Sequence, residues 1–161
     1  MKKLIALFLC LCLTASIVSV VAETAAEAPK TEMTAEELYQ AGEDAFLAED
    51  YGKAMEYYLQ AAEAGNAGGW RSVGFLYDLG LGVEQDYAKA LEYYTLAAEK
   101  DVPEAMFALG DFCYEGFILE KDADKAAEWY RKALDAGYEP EEEDQARLKE
   151  VLGDDYAQEQ D

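Results

Sequence analysis

The chain has 161 residues, enough for one domain of ordinary size, and 52% of them are apolar, enough for a hydrophobic core. Its 35 acidic residues outnumber its 13 basic residues, which gives a formal net charge of −22. This balance argues against nucleic acid as a partner, because phosphate binding requires clustered lysine and arginine. The chain contains no histidine, so the commonest general base and zinc ligand are both missing.

The first 22 residues have the pattern of a signal peptide. Lys2 and Lys3 precede the apolar run LIALFLCLCL, and small residues precede a cleavage site after Ala22. The alternative is an uncleaved membrane anchor, since the run reaches about the length that spans a bilayer. We expect residues 1–22 to be a cleaved signal peptide and residues 23–33 a flexible linker. The protein is then exported to the periplasm, the cell surface or the medium, with no stable membrane insertion.

The first predicted helix pair covers residues 34–65. The segment TAEE from Thr34 has the form of a capping box, in which Glu37 reaches back to the cap residue. Asp50 precedes the periodic run YGKAMEYYLQAAEAG and suits the N-cap of a second helix. Gly65 follows this run, at the place where a left-handed residue commonly ends a helix.

The second pair contains VGFLYDLGLGVEQDYAKALEYYTLAAEKD, residues 73–101. Gly80 and Gly82 precede a helical run, yet the stretch lacks both the Gly-Lys-Ser/Thr of a P-loop and the G-x-G-x-x-G dinucleotide fingerprint. We interpret these glycines as a turn that ends one helix before Asp86 caps the next. Gly74 falls inside the leading helix, at a cost of about 1 kcal/mol relative to alanine. A neighbouring helix is therefore expected to approach closely there.

The third pair aligns with the second without a gap, at an offset of 36 residues. Gly110 takes the place of Gly74, Pro103 suits the first turn of the leading helix, and Asp122 suits the next N-cap. Gly137 is expected to end the pair. In all three copies a lysine and a glutamate three residues apart predict ion pairs on the outer face: Lys53–Glu56, Lys89–Glu92 and Lys125–Glu128.

A final helix, PEEEDQARLKEVLG, is predicted from Pro140 to Gly153. Its acidic first turn suits a helix N-terminus, and its polar surface suits the cap that a solenoid end requires. Residues 154–161 form an acidic tail. The carboxylates form no D-x-D-x-D-G loop, so we predict no metal site and no cofactor.

The repeated pattern resembles a known family. Residues 73–98 read Val–Gly–x–x–Tyr–x–x–Gly–x–Gly–Val–x–x–Asp–x–x–Lys–Ala–x–x–x–Tyr–x–x–Ala–Ala, which is similar to the Sel-one-like repeat (SLR) of the tetratricopeptide superfamily. The third copy departs from it at Cys113 and Ile118. The resemblance covers about residues 34–140, and some bacterial members carry paired cysteines that this chain lacks. It implies a right-handed all-α solenoid of three helix pairs plus a C-terminal capping helix, over residues 34–153.

The resemblance also implies a function, because such arrays are mostly interaction modules. We expect a non-catalytic module that binds a protein or peptide partner on its concave face. With Gly42, Gly74 and Gly110 taken as equivalent, the family's groove positions are Tyr39, Glu43, Phe46, Arg71, Phe75, Asp78, Phe107, Asp111 and Tyr114. Aromatic side chains mixed with carboxylates suit a partner with apolar and basic side chains. The alternative is that several of the nine simply pack against the neighbouring helix.

Other interpretations stay open at this stage. Cys113 falls at a core-facing position, as a buried thiol or as a partner in an intermolecular disulfide. The chain could instead be an envelope hydrolase or a purely structural, self-assembling protein. Without histidine or a Ser-x-x-Lys motif, we predict no catalytic residues. The aromatic pairs are expected to pack in the core rather than form a ligand box: Tyr57–Tyr58, Tyr93–Tyr94 and Trp129–Tyr130.

Overall fold

The structure, a computed structural model, describes residues 33–118, 120–153 and 156. This part of the chain contains seven α-helices and no strand: α1 (Ala35–Leu47), α2 (Tyr51–Glu63), α3 (Gly68–Leu79), α4 (Tyr87–Ala98), α5 (Pro103–Glu115), α6 (Ala123–Asp135) and α7 (Glu142–Leu152). The predicted signal peptide, nearly all of the predicted linker and most of the predicted tail lie outside the described residues. None of the seven helices is long and apolar enough to cross a membrane.

The helices pack in the order in which they follow each other along the chain. Helix α1 packs against α2, α3 against α4 and α5 against α6, and each pair also contacts the next. Helix α7 packs on α6 at the C-terminal end. The core runs through the stack in two clusters, one around Tyr58 and Leu76 and a larger one around Tyr94, Tyr130 and Leu148. The predicted all-α solenoid of helix pairs is confirmed.

The helix starts predicted at the N-caps Thr34, Asp50, Asp86 and Asp122 are also confirmed. The Glu37 carboxylate accepts from the Thr34 backbone N–H at 2.8 Å, and the Thr34 hydroxyl accepts from the Glu37 N–H at 3.2 Å. Asp50, Asp86 and Asp122 accept from backbone N–H groups in the first turns of α2, α4 and α6. These side chains satisfy donors that have no partner within a helix, so each helix begins where its cap lies.

The predicted lysine–glutamate pairs are wrong. The lysine in the first turn of each second helix instead binds the N-cap aspartate three residues before it. The Nζ–Oδ2 distances are 2.5, 3.9 and 3.0 Å in the pairs Lys53–Asp50, Lys89–Asp86 and Lys125–Asp122. Each aspartate is already held by backbone N–H groups, so it offers the lysine a fixed acceptor at a smaller loss of side-chain entropy than a free glutamate.

The glycines between α3 and α4 form the predicted turn. Gly80 ends α3 with a left-handed φ of 68°, and Gly82 also has a positive φ, of 70°. A Cβ at Gly82 would lie 2.6 Å from the Cβ of Tyr51, so this turn packs directly against the start of α2. A side chain is excluded there by both the backbone conformation and the available space.

The final helix starts two residues later than predicted, at Glu142 rather than Pro140. The Asp144 carboxylate accepts from the Glu141 backbone N–H at 3.1 Å, which places the cap at Glu141. The same carboxylate accepts from the Tyr138 hydroxyl at 2.8 Å. Asp144 therefore ties the start of α7 to the segment that precedes it, and Pro140 is left outside the helix.

Candidate functional site

One glycine in the middle of each leading helix lies against one tyrosine of the helix that follows. A Cβ atom added at these glycines would lie 2.4–2.9 Å from a ring carbon, in the pairs Gly42–Tyr58, Gly74–Tyr94 and Gly110–Tyr130. The three tyrosines are at most 3% exposed. The close approach predicted at the mid-helix glycines is confirmed, and these tyrosines pack in the core as expected.

Each buried tyrosine ends in a hydrogen bond to a carboxylate on its leading helix. The donor–acceptor distances are 2.7, 3.2 and 2.7 Å in the pairs Tyr58–Glu43, Tyr94–Asp78 and Tyr130–Asp111. Burial raises the pKa of all three tyrosines, and the adjacent carboxylates raise it further. The phenols therefore remain protonated and act as donors to this row of carboxylates.

A large open cavity lies beside two of these carboxylates, and we call it the groove. Its volume is about 590 Å³, and it lies between α3, α5 and the segment that joins α6 to α7. Arg71, Phe75 and Asp78 line it from α3, whereas Phe107 and Asp111 are among the residues that line it from α5. The full lining holds five carboxylates and one arginine, so the groove is negatively charged.

A second cavity, of about 370 Å³, adjoins the groove. The two cavities share Asp78, Ala108 and Asp111 as lining residues. Beyond these, the second cavity is lined by apolar and aromatic side chains such as Tyr87 and Phe117, and by Gln85, Glu115 and Arg147. The two cavities therefore lie side by side along α5.

The structure divides the nine predicted site residues into two groups. The five that line the groove are Arg71, Phe75, Asp78, Phe107 and Asp111. The other four are Tyr39, Glu43, Phe46 and Tyr114, which do not line it.

Several of the nine mainly pack. Phe107 is only 5% exposed, and its ring stacks on Tyr138 at a centroid distance of 4.3 Å, so it forms the floor of the groove. Tyr39 packs against Tyr58 with a centroid distance of 5.7 Å. The ring centroids of Phe46 and Phe75 lie 6.1 Å apart, so Phe46 packs the first repeat against the second. The contacts of Phe107, Tyr39 and Phe46 are therefore those expected if these side chains pack against neighbouring helices.

The sequence reasoning missed Arg147, which reaches the groove carboxylate Asp111 from α7. Its Nη1 donates to Asp111 Oδ1, and its guanidinium carbon lies 5.8 Å from the centroid of the Phe107 ring. Burial raises the pKa of Asp111, while Arg147 and then Tyr130 act to lower it. The only signal in the sequence was a lone arginine in an acidic capping helix, and nothing in its spacing indicated which repeat it would contact.

Cys113 lies half-buried as a free thiol on α5. It lines a small apolar cavity of about 60 Å³ together with Leu91 and Phe112. Burial raises the pKa of this thiol, and the nearby Asp122 raises it further. Within the described ranges, no group of cysteine, aspartate and glutamate side chains is arranged to hold a metal ion.

Comparison with known proteins places the repeats in a family. The chain matches the family described as Sel1 repeat over residues 33–66, 71–102 and 103–138. A search among curated proteins gave no match.

Three solved structures share this fold. A Sel1 repeat protein from Oxalobacter formigenes is 30% identical, with a TM-score of 0.61 over 65% of this chain and 44% of its own. The protective antigen c5321 of uropathogenic Escherichia coli, which displays an SLR fold, is 32% identical, with a TM-score of 0.60 over 65% of this chain and 23% of its own. The cysteine-rich protein B of Helicobacter pylori is 30% identical, with a TM-score of 0.51 over 55% of this chain and 66% of its own.

The chain thus spans less than half of the Oxalobacter and Escherichia coli proteins that it resembles. The three family matches nonetheless cover most of its length, and they coincide with the helix pairs α1–α2, α3–α4 and α5–α6. The chain belongs to the Sel1 repeat family.

Proposed function

We propose that the protein is an exported, non-catalytic interaction module that binds a segment of a partner protein, or a peptide, in the groove. Sel1 repeat proteins are generally protein–protein interaction modules, and repeat proteins of this type are typically non-catalytic scaffolds. The observation that carries the proposal is the groove itself. It lies between two leading helices, α3 and α5, where aromatic and charged side chains line the same open cavity.

The size and the charge of the groove support a peptide-like ligand. A volume of about 590 Å³ falls within the range of roughly 300–1,000 Å³ that ligand sites have. The adjoining cavity of about 370 Å³ offers further space for a chain segment. Because carboxylates outnumber arginine five to one in the lining, a segment with basic and apolar side chains fits better than an acidic one.

Export is supported by the N-terminal pattern of Lys2, Lys3 and the apolar run before Ala22. The measurement is intact mass and N-terminal sequencing of the protein recovered outside the cytoplasm. We expect a chain that begins at Glu23. Recovery only of the full chain, in the membrane fraction, would instead support the anchor alternative.

Binding in the groove is tested with a random peptide library displayed on phage and selected on the purified protein. Ala108→Trp places a large side chain between α3 and α5 and is expected to abolish the binding of the selected peptides, while helix content by circular dichroism stays unchanged. The matched control is Ala64→Trp, an exposed position at the end of α2, which should leave binding unchanged. Selected peptides that bind both variants equally well would contradict the proposed site.

A further inference from the structure

The three tyrosine–carboxylate pairs differ in the cation that accompanies them. Arg71 acts to lower the pKa of both Tyr58 and Tyr94, yet among the described residues it forms no ion pair with Glu43 or with Asp78. In the third repeat, Arg147 of α7 donates to the same Asp111 oxygen that accepts from Tyr130. Among the described residues, only the Tyr130–Asp111 pair therefore has an arginine bound to its carboxylate.

The middle repeat has no such arginine. The next helix along is α5, which presents Ala108 and Asp111 to the groove next to Asp78. Across the described residues, no lysine or arginine forms an ion pair with Asp78. Burial raises the pKa of this carboxyl; the Tyr94 hydroxyl acts to lower it, and the charge of Asp111 acts to raise it. Asp78 is thus a half-buried carboxylate without a compensating cation.

The hydrogen bonds of the two groove carboxylates leave one oxygen of each without a donor among the described residues. Asp78 uses Oδ2 to accept from Tyr94, and Asp111 uses Oδ1 to accept from Tyr130 and Arg147. The other oxygens, Asp78 Oδ1 and Asp111 Oδ2, accept no hydrogen bond from a described residue. A planar donor with several N–H groups can serve two carboxylates at once, which an ammonium group does less well.

We propose that an arginine of the partner segment occupies this place in the groove, with its guanidinium between Asp78 and Asp111 and its aliphatic stem along Ala108 and Phe75. The inference rests on the proposed function, because it names the chemistry that the groove recognises. The arginine would give Asp78 the kind of partner that Arg147 gives Asp111. Because no lysine or arginine of the described residues forms an ion pair with Asp78, the proposed cation comes from the ligand.

The test is a synthetic peptide array in which every flanking sequence is present twice, with either arginine or citrulline at its centre. Citrulline keeps the shape of arginine and removes its charge. The array is probed with the purified protein, with Asp78→Asn, and with the control Asp135→Asn, an exposed carboxylate on α6. A peptide is counted as bound in the groove when it binds the wild-type protein and does not bind the Ala108→Trp variant.

We expect the groove-binding peptides to bind about tenfold more tightly with arginine than with citrulline, as for a partly exposed hydrogen-bonded charge pair. Asp78→Asn should remove this preference, and Asp135→Asn should keep it. Groove binding that is equal for arginine and citrulline would overturn this inference and leave the proposed function standing. If no peptide loses its binding in the Ala108→Trp variant, both this inference and the proposed function are overturned.

Discussion

Replacing Gly110 with alanine tests whether close packing of α5 on α6 holds the third repeat together. The added Cβ would lie 2.4 Å from Tyr130 Cε1 and 2.5 Å from Cδ1, whereas carbon atoms pack best at about 3.5–4.0 Å. The ring cannot move away easily, because Tyr130 is fully buried and its hydroxyl is bonded to Asp111 at 2.7 Å. The two helices must therefore separate.

The expected cost follows from two opposing terms. Overpacking of this kind destabilises a protein by about 1–3 kcal/mol, and the overlap of more than 1 Å here places the substitution at the upper end. The higher helix propensity of alanine offsets about 1 kcal/mol. The net loss in the free energy of unfolding is thus about 2 kcal/mol, or a fall in the urea midpoint of about 1 M for a typical denaturant slope.

The measurement is urea unfolding followed by circular dichroism, with two comparison variants. Gly74→Ala should cost less than Gly110→Ala, because its Cβ would lie 2.9 Å from the Tyr94 ring. Gly52→Ala is the matched control: its Cβ would meet nothing closer than an Asp50 oxygen at 4.0 Å, so it should stabilise α2 by about 0.5 kcal/mol. A Gly110→Ala protein as stable as the wild type would refute the requirement for close approach.

Three further predictions concern charged and reactive groups. Arg147→Ala leaves Asp111 half-buried without its cation, so we expect a loss of about 1 kcal/mol in urea unfolding and faster hydrogen exchange in α7. Asp78 has a raised pKa from burial, with Tyr94 opposing and Asp111 adding to it, so the folded chain keeps this proton to a higher pH than the unfolded chain does. The contribution of Asp78 to stability therefore falls as the pH rises through its native pKa. We expect Asp78→Asn to leave the urea midpoint unchanged at about pH 3 and to raise the free energy of unfolding at neutral pH by less than about 1 kcal/mol. Cys113 is half-buried with a raised thiol pKa, so peptide mass spectrometry should show iodoacetamide labelling about tenfold slower in the native protein than in urea.

The Asp78 prediction bears on the function as well as on stability. A half-buried carboxylate without a cation destabilises the folded state, and such groups are retained where binding needs them. If Asp78→Asn stabilises the protein and also removes the preference for arginine peptides, one side chain accounts for both effects.

Local features of the chain were predictable because they depend on residues a few positions apart. Thr34 with Glu37 and Asp86 before α4 determine helix starts through hydrogen bonds to backbone groups within three residues. The repeat offset of 36 residues predicted the stacking of helix pairs, because identical units bury identical faces. Even here the lysine pairs were mispredicted, since Lys53 selects between two carboxylates at the same spacing and prefers the one already held in place, Asp50.

The candidate site was predicted only in part. Arg71, Phe75 and Asp78 were predicted from the family's groove positions, and all three line the groove. Their spacing of i, i+4 and i+7 places them on one face of α3. Phe107 has the same repeat position as Arg71, yet it is buried, because Tyr138 from the segment after α6 stacks on its ring. The earlier repeats have Asn66 and Val102 where the third has Tyr138, so repeat equivalence could not anticipate this aromatic contact.

The sequence by itself determined the three helix pairs, their caps at Thr34 and at the aspartates, the glycines that pack against a tyrosine ring, and the family. Each of these depends on local spacing or on the repeat. Only the tertiary structure decided which carboxylates carry a cation. Asp111 and Arg147 are 36 residues apart, and their contact depends on how α7 packs at the end of the solenoid. Asp78 remains without a cation because α5 presents an alanine and an aspartate beside it. The sequence does not distinguish a carboxylate that pairs with a cation from one that does not, because the pairing depends on the surroundings of the folded side chain.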